Sequence, residues 1–144
     1  MGETIRVVLV DDHPIVRSGY ARLLEAGGDI RVAAEAPDAE AGYTAYVQCT
    51  PKVTVTDLSL PGSSGIELIR RIRARDSSAR VLVFSVHDEA VVVDKAIQSG
   101  ASGFGALTTR FARVGTEWRT PDIWLRRTVD LPAGPLAAPH LRVF

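Results

Sequence analysis

Three aspartates stand directly after two apolar runs of the sequence, where their side chains could hold a metal ion. Asp11 and Asp12 follow the run IRVVLV, and Asp57 follows the alternating run VTVT. Such runs are typical of buried strands, and a Pro-Gly pair soon after Asp57 indicates a loop. A carboxylate at a buried strand end is costly unless something pairs with it, and Mg²⁺ prefers oxygen ligands.

The aspartates meet only if their two strands are neighbours. In the flavodoxin-like strand order 2-1-3-4-5 the first and third strands are adjacent, and their carboxyl ends share one edge of the sheet. Like charges so close would repel, and this favours a bound divalent cation. The alternative is purely structural: Asp11 and Asp12 cap a helix that begins at Pro14, and Asp57 makes a turn.

The elements that must position these aspartates follow from the apolar pattern. Five runs are predicted as strands: 5–10, 30–35, 53–56, 80–85 and a fifth that opens at 101. Four segments show helical spacing: Pro14 to Gly27-Gly28, an Asp38 cap to Thr50-Pro51, a Ser63-Ser64 cap to Arg75, and Glu89 to Ser99. In the first of these the helical spacing joins Val16, Tyr20, Leu23 and Leu24. Strands alternating with helices predict an α/β fold, a doubly wound, parallel, five-stranded sheet.

Composition narrows the function classes. The chain has 144 residues, 46% hydrophobic and 24% charged, which suits one globular domain. Its net charge is zero, although residues 1–103 carry 11 basic and 14 acidic residues and 104–144 carry 6 and 3. A single cysteine, Cys49, excludes an internal disulfide, and no run approaches the roughly 18 apolar residues of a membrane span. We therefore expect a cytoplasmic protein without a membrane segment.

The pattern degrades from about Gly105. Phe111, Val114 and Trp118 would share a helix face, but Gly115 and a nearby proline interrupt it. Further prolines then make a packed helix unfavourable. No architecture is predicted for residues 110–144.

Four segments in order resemble the receiver domain of two-component response regulators: Val7–Val10 with Asp11-Asp12-His13, DLSLPG at 57–62 with Gly65, VLVFS at 81–85, and GASGF at 100–104. The DDHP and GASGF motifs resemble the NarL/FixJ-type subfamily in particular. The resemblance predicts a CheY-like receiver domain over residues 4–108. Residues 109–144 would be an atypical tail, with helix five degraded or missing and no recognisable output domain.

The resemblance also assigns a metal site by position. Asp57 would accept a phosphoryl group and help to bind Mg²⁺. Asp12 would ligate the ion directly, Asp11 largely through water, and Ser59 through its backbone carbonyl. The phosphoryl donor would be a sensor histidine kinase.

Two further residues receive switch roles from the resemblance. Ser85 would form a hydrogen bond with the phosphoryl group, and the orientation of the Phe104 ring would follow that hydroxyl. Homodimerisation remains open. No sequence-specific DNA binding is expected from this chain, because no helix-turn-helix pattern follows residue 104.

One departure from the family pattern bears on function. Leu107 occupies the position where receivers carry a lysine at the end of strand five. This favours an alternative, a pseudo-receiver that acts as a constitutive interaction or dimerisation module. A Mg²⁺-dependent aspartyl phosphohydrolase is disfavoured, because Ser59 stands where such enzymes place a second aspartate. The tail has two open explanations: natural divergence, or a shifted reading frame after a truncated receiver.

Overall fold

Strands and helices alternate through the part of the chain that the structure, a computed structural model, describes: residues 4–85, 90–106, 112–114 and 117–119. For 105–106, 112–114 and 117–119 only the backbone is described. The elements are β1 (Ile5–Val10), α1 (Pro14–Glu25), β2 (Ile30–Ala36), α2 (Ala39–Cys49), β3 (Val53–Thr56), α3 (Gly65–Arg75), β4 (Val81–Ser85), α4 (Ala90–Gln98), β5 (Gly103–Ala106), β6 (Ala112–Val114) and β7 (Glu117–Arg119).

The first five strands form one parallel sheet in the order β2-β1-β3-β4-β5. This confirms the predicted fold class and strand order. In the register of the sheet Val10 lies opposite Ala36 on one side and opposite Thr56 on the other. Because these residues end their strands at the same level, the segments that follow β1 and β3 emerge side by side.

Local sequence signals fix where the helices begin. Pro14 is the first residue of α1, where its missing N–H leaves no helical hydrogen bond unmade. The side chain of Asp38 accepts a hydrogen bond from the Ala41 N–H at 2.8 Å, and that of Ser64 accepts one from Glu67 at 3.3 Å. Both predicted caps are therefore confirmed.

The sheet is buried on both faces, as the continuous apolar run of β1 predicted. Val8 and Val10 point into a cluster with α2, α3 and α4, whereas Val7 and Leu9 point into a second cluster on the side of α1. On this second face the Tyr20 ring stacks on that of Phe84, with centroids 5.3 Å apart.

Helix α1 buries less of its apolar spacing than the sequence suggests. Leu24 is fully buried, but Val16 is 37% exposed and Leu23 is 45% exposed. Consecutive helical residues are about 100° apart, so a helix that turns Leu24 toward the sheet leaves Leu23 at the border of the contact.

The described residues after β5 are extended. β6 and β7 pair antiparallel, with Val114 opposite Glu117 and Trp118 opposite Arg113. Val114 and Trp118, for which no architecture was predicted, therefore lie in a short hairpin. The other tail positions, including Phe111, lie outside the described residues. Among the residues that are described, no helix is long and apolar enough to cross a membrane.

Candidate functional site

The candidate site lies where β1 and β3 end, and backbone hydrogen bonds fix both ends. The Asp57 N–H donates to the Val10 carbonyl at 3.0 Å, so the pairing of β1 with β3 extends one residue beyond β3. On the other side of β1, the Asp11 N–H donates to the Ala36 carbonyl, also at 3.0 Å. The aspartates therefore take their positions from the sheet itself.

Asp57 is buried, with 4% of its surface exposed. Its Oδ1 accepts hydrogen bonds from the N–H groups of Leu58 at 2.7 Å and Ser59 at 3.3 Å. Burial raises the pKa of this carboxyl, and the charge of Asp11 raises it further, while the two backbone donors act in the opposite direction. The turn thus holds one carboxylate oxygen of Asp57 in place.

Asp11 is equally buried, and His13 binds its carboxylate. Oδ1 of Asp11 accepts the His13 backbone N–H at 2.8 Å, and Nδ1 of the imidazole lies 3.1 Å from the same oxygen. The hydrogen bond to Asp11, followed by the charge of Asp12, raises the pKa of His13. An exposed imidazole therefore lies against the carboxylates of Asp11 and Asp12.

Asp12 has a carboxylate oxygen that suits a bound cation. Its Oδ1 atom is buried and forms no hydrogen bond within the described residues, although His13 Nδ1 lies 2.9 Å away. Asp11, Asp12, His13 and Asp57 each offer a ligand atom, and these four atoms lie within 4.8 Å of one another. Three carboxylates fit Mg²⁺, and a buried oxygen without a donor would gain a partner from the ion.

The two predicted switch residues are buried in the strands beside β3. Ser85 is the last residue of β4 and is fully buried. Phe104, on β5, is also fully buried and lies beside Val83 in the register of the sheet. The predicted position of the missing lysine, Leu107, lies outside the described residues.

Sequence reasoning missed two residues that contact the site. The first sequence motif includes His13, but only its place directly after the two aspartates could have indicated the contact. Arg17 gave no signal, yet its Nη1 donates to the Asp11 carbonyl at 2.6 Å and its Nε donates to Oε1 of Glu35 at 3.1 Å. Its place one helical turn after His13 indicates a contact with Asp11 only when the fold of the intervening loop is known.

Comparison with known proteins identifies this arrangement. The family model for the response regulator receiver domain matches residues 7–106. The chain belongs to the response regulator receiver domain family. This confirms the family that the four sequence motifs predicted.

Relatives place the receiver domain in the NarL/FixJ group. It is 38% identical over 102 residues to a probable transcriptional regulatory protein NarL from Mycobacterium tuberculosis, a match that covers 71% of this chain and 47% of the relative. The chain thus spans about half the length of the curated relatives it matches. These homologues are transcriptional regulators.

Two solved structures resemble the receiver domain closely. A LuxR-family two-component response regulator from Aurantimonas sp. has a TM-score of 0.72 and 47% identity, covering 74% of this chain and 76% of the other. The signal receiver domain of a response regulator NarL from Mycobacterium tuberculosis has a TM-score of 0.70 and 37% identity, covering 73% and 85%.

Proposed function

We propose that this receiver domain accepts a phosphoryl group on Asp57 from a sensor histidine kinase. Mg²⁺ would be held by the carboxylates of Asp11, Asp12 and Asp57 and by the backbone carbonyl of Ser59. The observation that carries the proposal is the convergence of three carboxylates, two of them almost fully buried, within 4.8 Å at the end of β1 and β3. Membership of the receiver family supports it.

The chemistry falls to Asp57. A carboxylate oxygen of Asp57 forms a bond to phosphorus while the phosphorus–nitrogen bond of the donor phosphohistidine breaks, and the donor imidazole leaves. Mg²⁺ held by these residues would supply positive charge to the phosphoryl group. The hydrogen bonds from Leu58 and Ser59 to Oδ1 hold the carboxylate in one orientation, and this leaves the other oxygen to attack.

Ser85 and Phe104 would respond to phosphorylation of Asp57. The Ser85 hydroxyl would donate to a phosphoryl oxygen on Asp57, since β4 lies beside β3 and ends at the same edge. The Phe104 ring would follow that movement and change the surface around α4 and β5. We assign the receiver domain to residues 4–108 and residues 109–144 to an atypical tail that adds no sequence-specific DNA binding.

The sequence supports a second candidate function. Leu107 offers neither charge nor a hydrogen-bond donor where the family carries a lysine. A chain without that ammonium could serve as a pseudo-receiver, a constitutive interaction or dimerisation module that is not productively phosphorylated. Homodimerisation remains open in both versions, and the contact with a sensor histidine kinase belongs to the first.

Incubation with Mg²⁺ and a small phosphodonor separates the two candidates. Intact mass spectrometry should detect an added mass of one phosphoryl group in the unmodified chain, and Asp57→Asn should abolish it. Asp76→Asn, which changes an aspartate at the end of α3, is the matched control and should label normally. An unmodified chain that remains unlabelled would support the pseudo-receiver, and equal labelling of Asp57→Asn would remove the assigned acceptor.

A further inference from the structure

Arg17 joins three parts of the fold through one mostly buried side chain. It lies on α1, and its side chain is 18% exposed. Its Nη1 donates to the backbone carbonyl of Asp11 at 2.6 Å, and its Nε donates to Glu35 Oε1, on β2, at 3.1 Å. The guanidinium therefore lies between the end of β1 and the neighbouring strand.

The carbonyl that Arg17 binds belongs to the peptide unit between Asp11 and Asp12. The N–H of Asp11 is bound to Ala36, and its carboxylate is bound to His13. Arg17 supplies the remaining constraint, which fixes the plane of the peptide that leads into Asp12. A hydrogen bond of 2.6 Å from a charged donor is at the strong end of the range.

Asp12 depends on this constraint more than its neighbours do. Within the described residues its Oδ1 forms no hydrogen bond, whereas Asp57 and Asp11 are both held by backbone N–H groups. The direction of the Asp12 carboxylate is therefore set by its own backbone and by the His13 imidazole, whose Nδ1 lies 2.9 Å from Oδ1. A rotation of the preceding peptide would carry that carboxylate away from the other two.

We propose that Arg17 is a positioning residue that orients Asp12 for the metal by holding the Asp11–Asp12 peptide. Glu35 keeps the guanidinium in place. This inference rests on the proposed metal site and adds to it a residue that touches neither the ion nor the phosphoryl group. Arginine suits the role because its planar fork donates to two acceptors at once, whereas lysine offers a single flexible charge.

The test is the affinity of the full chain for Mg²⁺, measured by titration. Loss of a residue that orients a metal ligand typically weakens metal binding by roughly 10- to 100-fold. Arg17→Ala should weaken binding by about tenfold. Arg17→Lys should restore part of the loss, and Glu35→Gln should give a smaller loss in the same direction. Arg22→Ala removes the same charge from an exposed position of the same helix and should bind like the unmodified chain.

Two measurements without metal separate positioning from general stabilisation. The thermal midpoint in a chelating buffer reports stability, and the NMR signal of the Asp12 backbone amide reports the orientation of the peptide. Arg17→Ala should shift the Asp12 signal, whereas Arg22→Ala should not. A folded Arg17→Ala with a lower thermal midpoint but unchanged Mg²⁺ affinity would overturn the inference.

The remaining outcomes are also decisive. If Arg17→Ala does not fold, normal Mg²⁺ binding by Glu35→Gln and Arg17→Lys overturns the inference. If the unmodified chain binds Mg²⁺ and Asp12→Ala does not, the proposed metal site stands whatever Arg17 does. An unmodified chain that binds no Mg²⁺ removes the proposed metal site and this inference together.

Discussion

Gly65 packs directly under the backbone of Asp57. A Cβ atom at position 65 would overlap the Asp57 carbonyl oxygen and lie 2.8 Å from the Cα of Leu58. The Gly65 N–H also donates to the Leu58 carbonyl at 3.0 Å. The first residue of α3 therefore supports the turn that presents the candidate phospho-acceptor.

Gly65→Ala should destabilise the fold, because the added methyl group meets backbone atoms that cannot move independently. We expect a loss of about 1–3 kcal/mol in the free energy of unfolding, the usual range for overpacking. Chemical denaturation measures it. Gly19→Ala is the matched control: its Cβ would meet nothing within 4 Å in the middle of α1, and it should stabilise by about 0.5–1 kcal/mol. Equal effects of the two substitutions would show that the packing under Asp57 is not tight.

Thr54→Val should stabilise the protein. The Thr54 hydroxyl is buried in β3, and its oxygen has no hydrogen-bond partner in the described part of the chain. Valine has nearly the same shape and removes the unsatisfied group, so we expect a gain of about 1 kcal/mol. Thr56→Val is the contrasting variant, since the Thr56 hydroxyl donates to the Asp57 carbonyl at 2.8 Å. Thr56→Val should lower the stability of the fold. A gain in stability in both variants would contradict the inferred difference in hydrogen bonding between the two hydroxyls.

Tyr20 should make the fold sensitive to alkali. Burial, followed by the charges of Asp11 and Asp57, raises the pKa of Tyr20 from 10.0 to about 12. A raised pKa means that the folded state favours the neutral phenol. The stability that the neutral phenol contributes is therefore complete below pH 10 and is lost between pH 10 and about 12. In thermal melts without metal, Tyr20→Phe should lose less stability than the unmodified chain across this range. Parallel pH curves would contradict the assignment.

Leu107→Lys should increase phosphate incorporation at Asp57. In the family pattern the ammonium supplies charge to the phosphoryl oxygens in the transition state, and loss of one such donor typically costs a factor of about 100 or more. We expect a gain of at least about tenfold in the labelling rate, followed by intact mass. Leu107→Met, a neutral side chain of similar length, is the control. Rapid labelling of the unmodified chain would show that another group fills the role of the lysine.

The sequence predicted those features that depend on local rules. The caps at Asp38 and Ser64 follow from short-range hydrogen bonding, and the parallel sheet follows from the alternation of strands and helices. The aspartates were found because a charge at the end of an apolar run is unusual. Their convergence required only that β1 and β3 be neighbours.

Features that depend on how the elements pack were not predictable. The exposure of Leu23 follows from the rotation of α1 against the sheet, which periodicity leaves open. The contact from Arg17 to Asp11 requires both the helix and the loop in place, and the link to Glu35 requires β2 as well. The strands at Val114 and Trp118 could not be predicted, because a segment of three residues is too short for its period to distinguish a helix from a hairpin.

The strand order also predicts different rates of amide hydrogen exchange for the two halves of the acidic site. Asp57 is bonded to the interior pair of β1 and β3, whereas Asp11 is bonded to β2, which pairs only with β1 among the described strands. Edge strands separate before interior ones when a domain opens in part. Amide hydrogens should therefore exchange with solvent sooner at Asp11 than at Asp57. Fraying of β2 would release Glu35 and so weaken the grip of Arg17 on the Asp11 carbonyl. The carboxylate of Asp57 would stay in place.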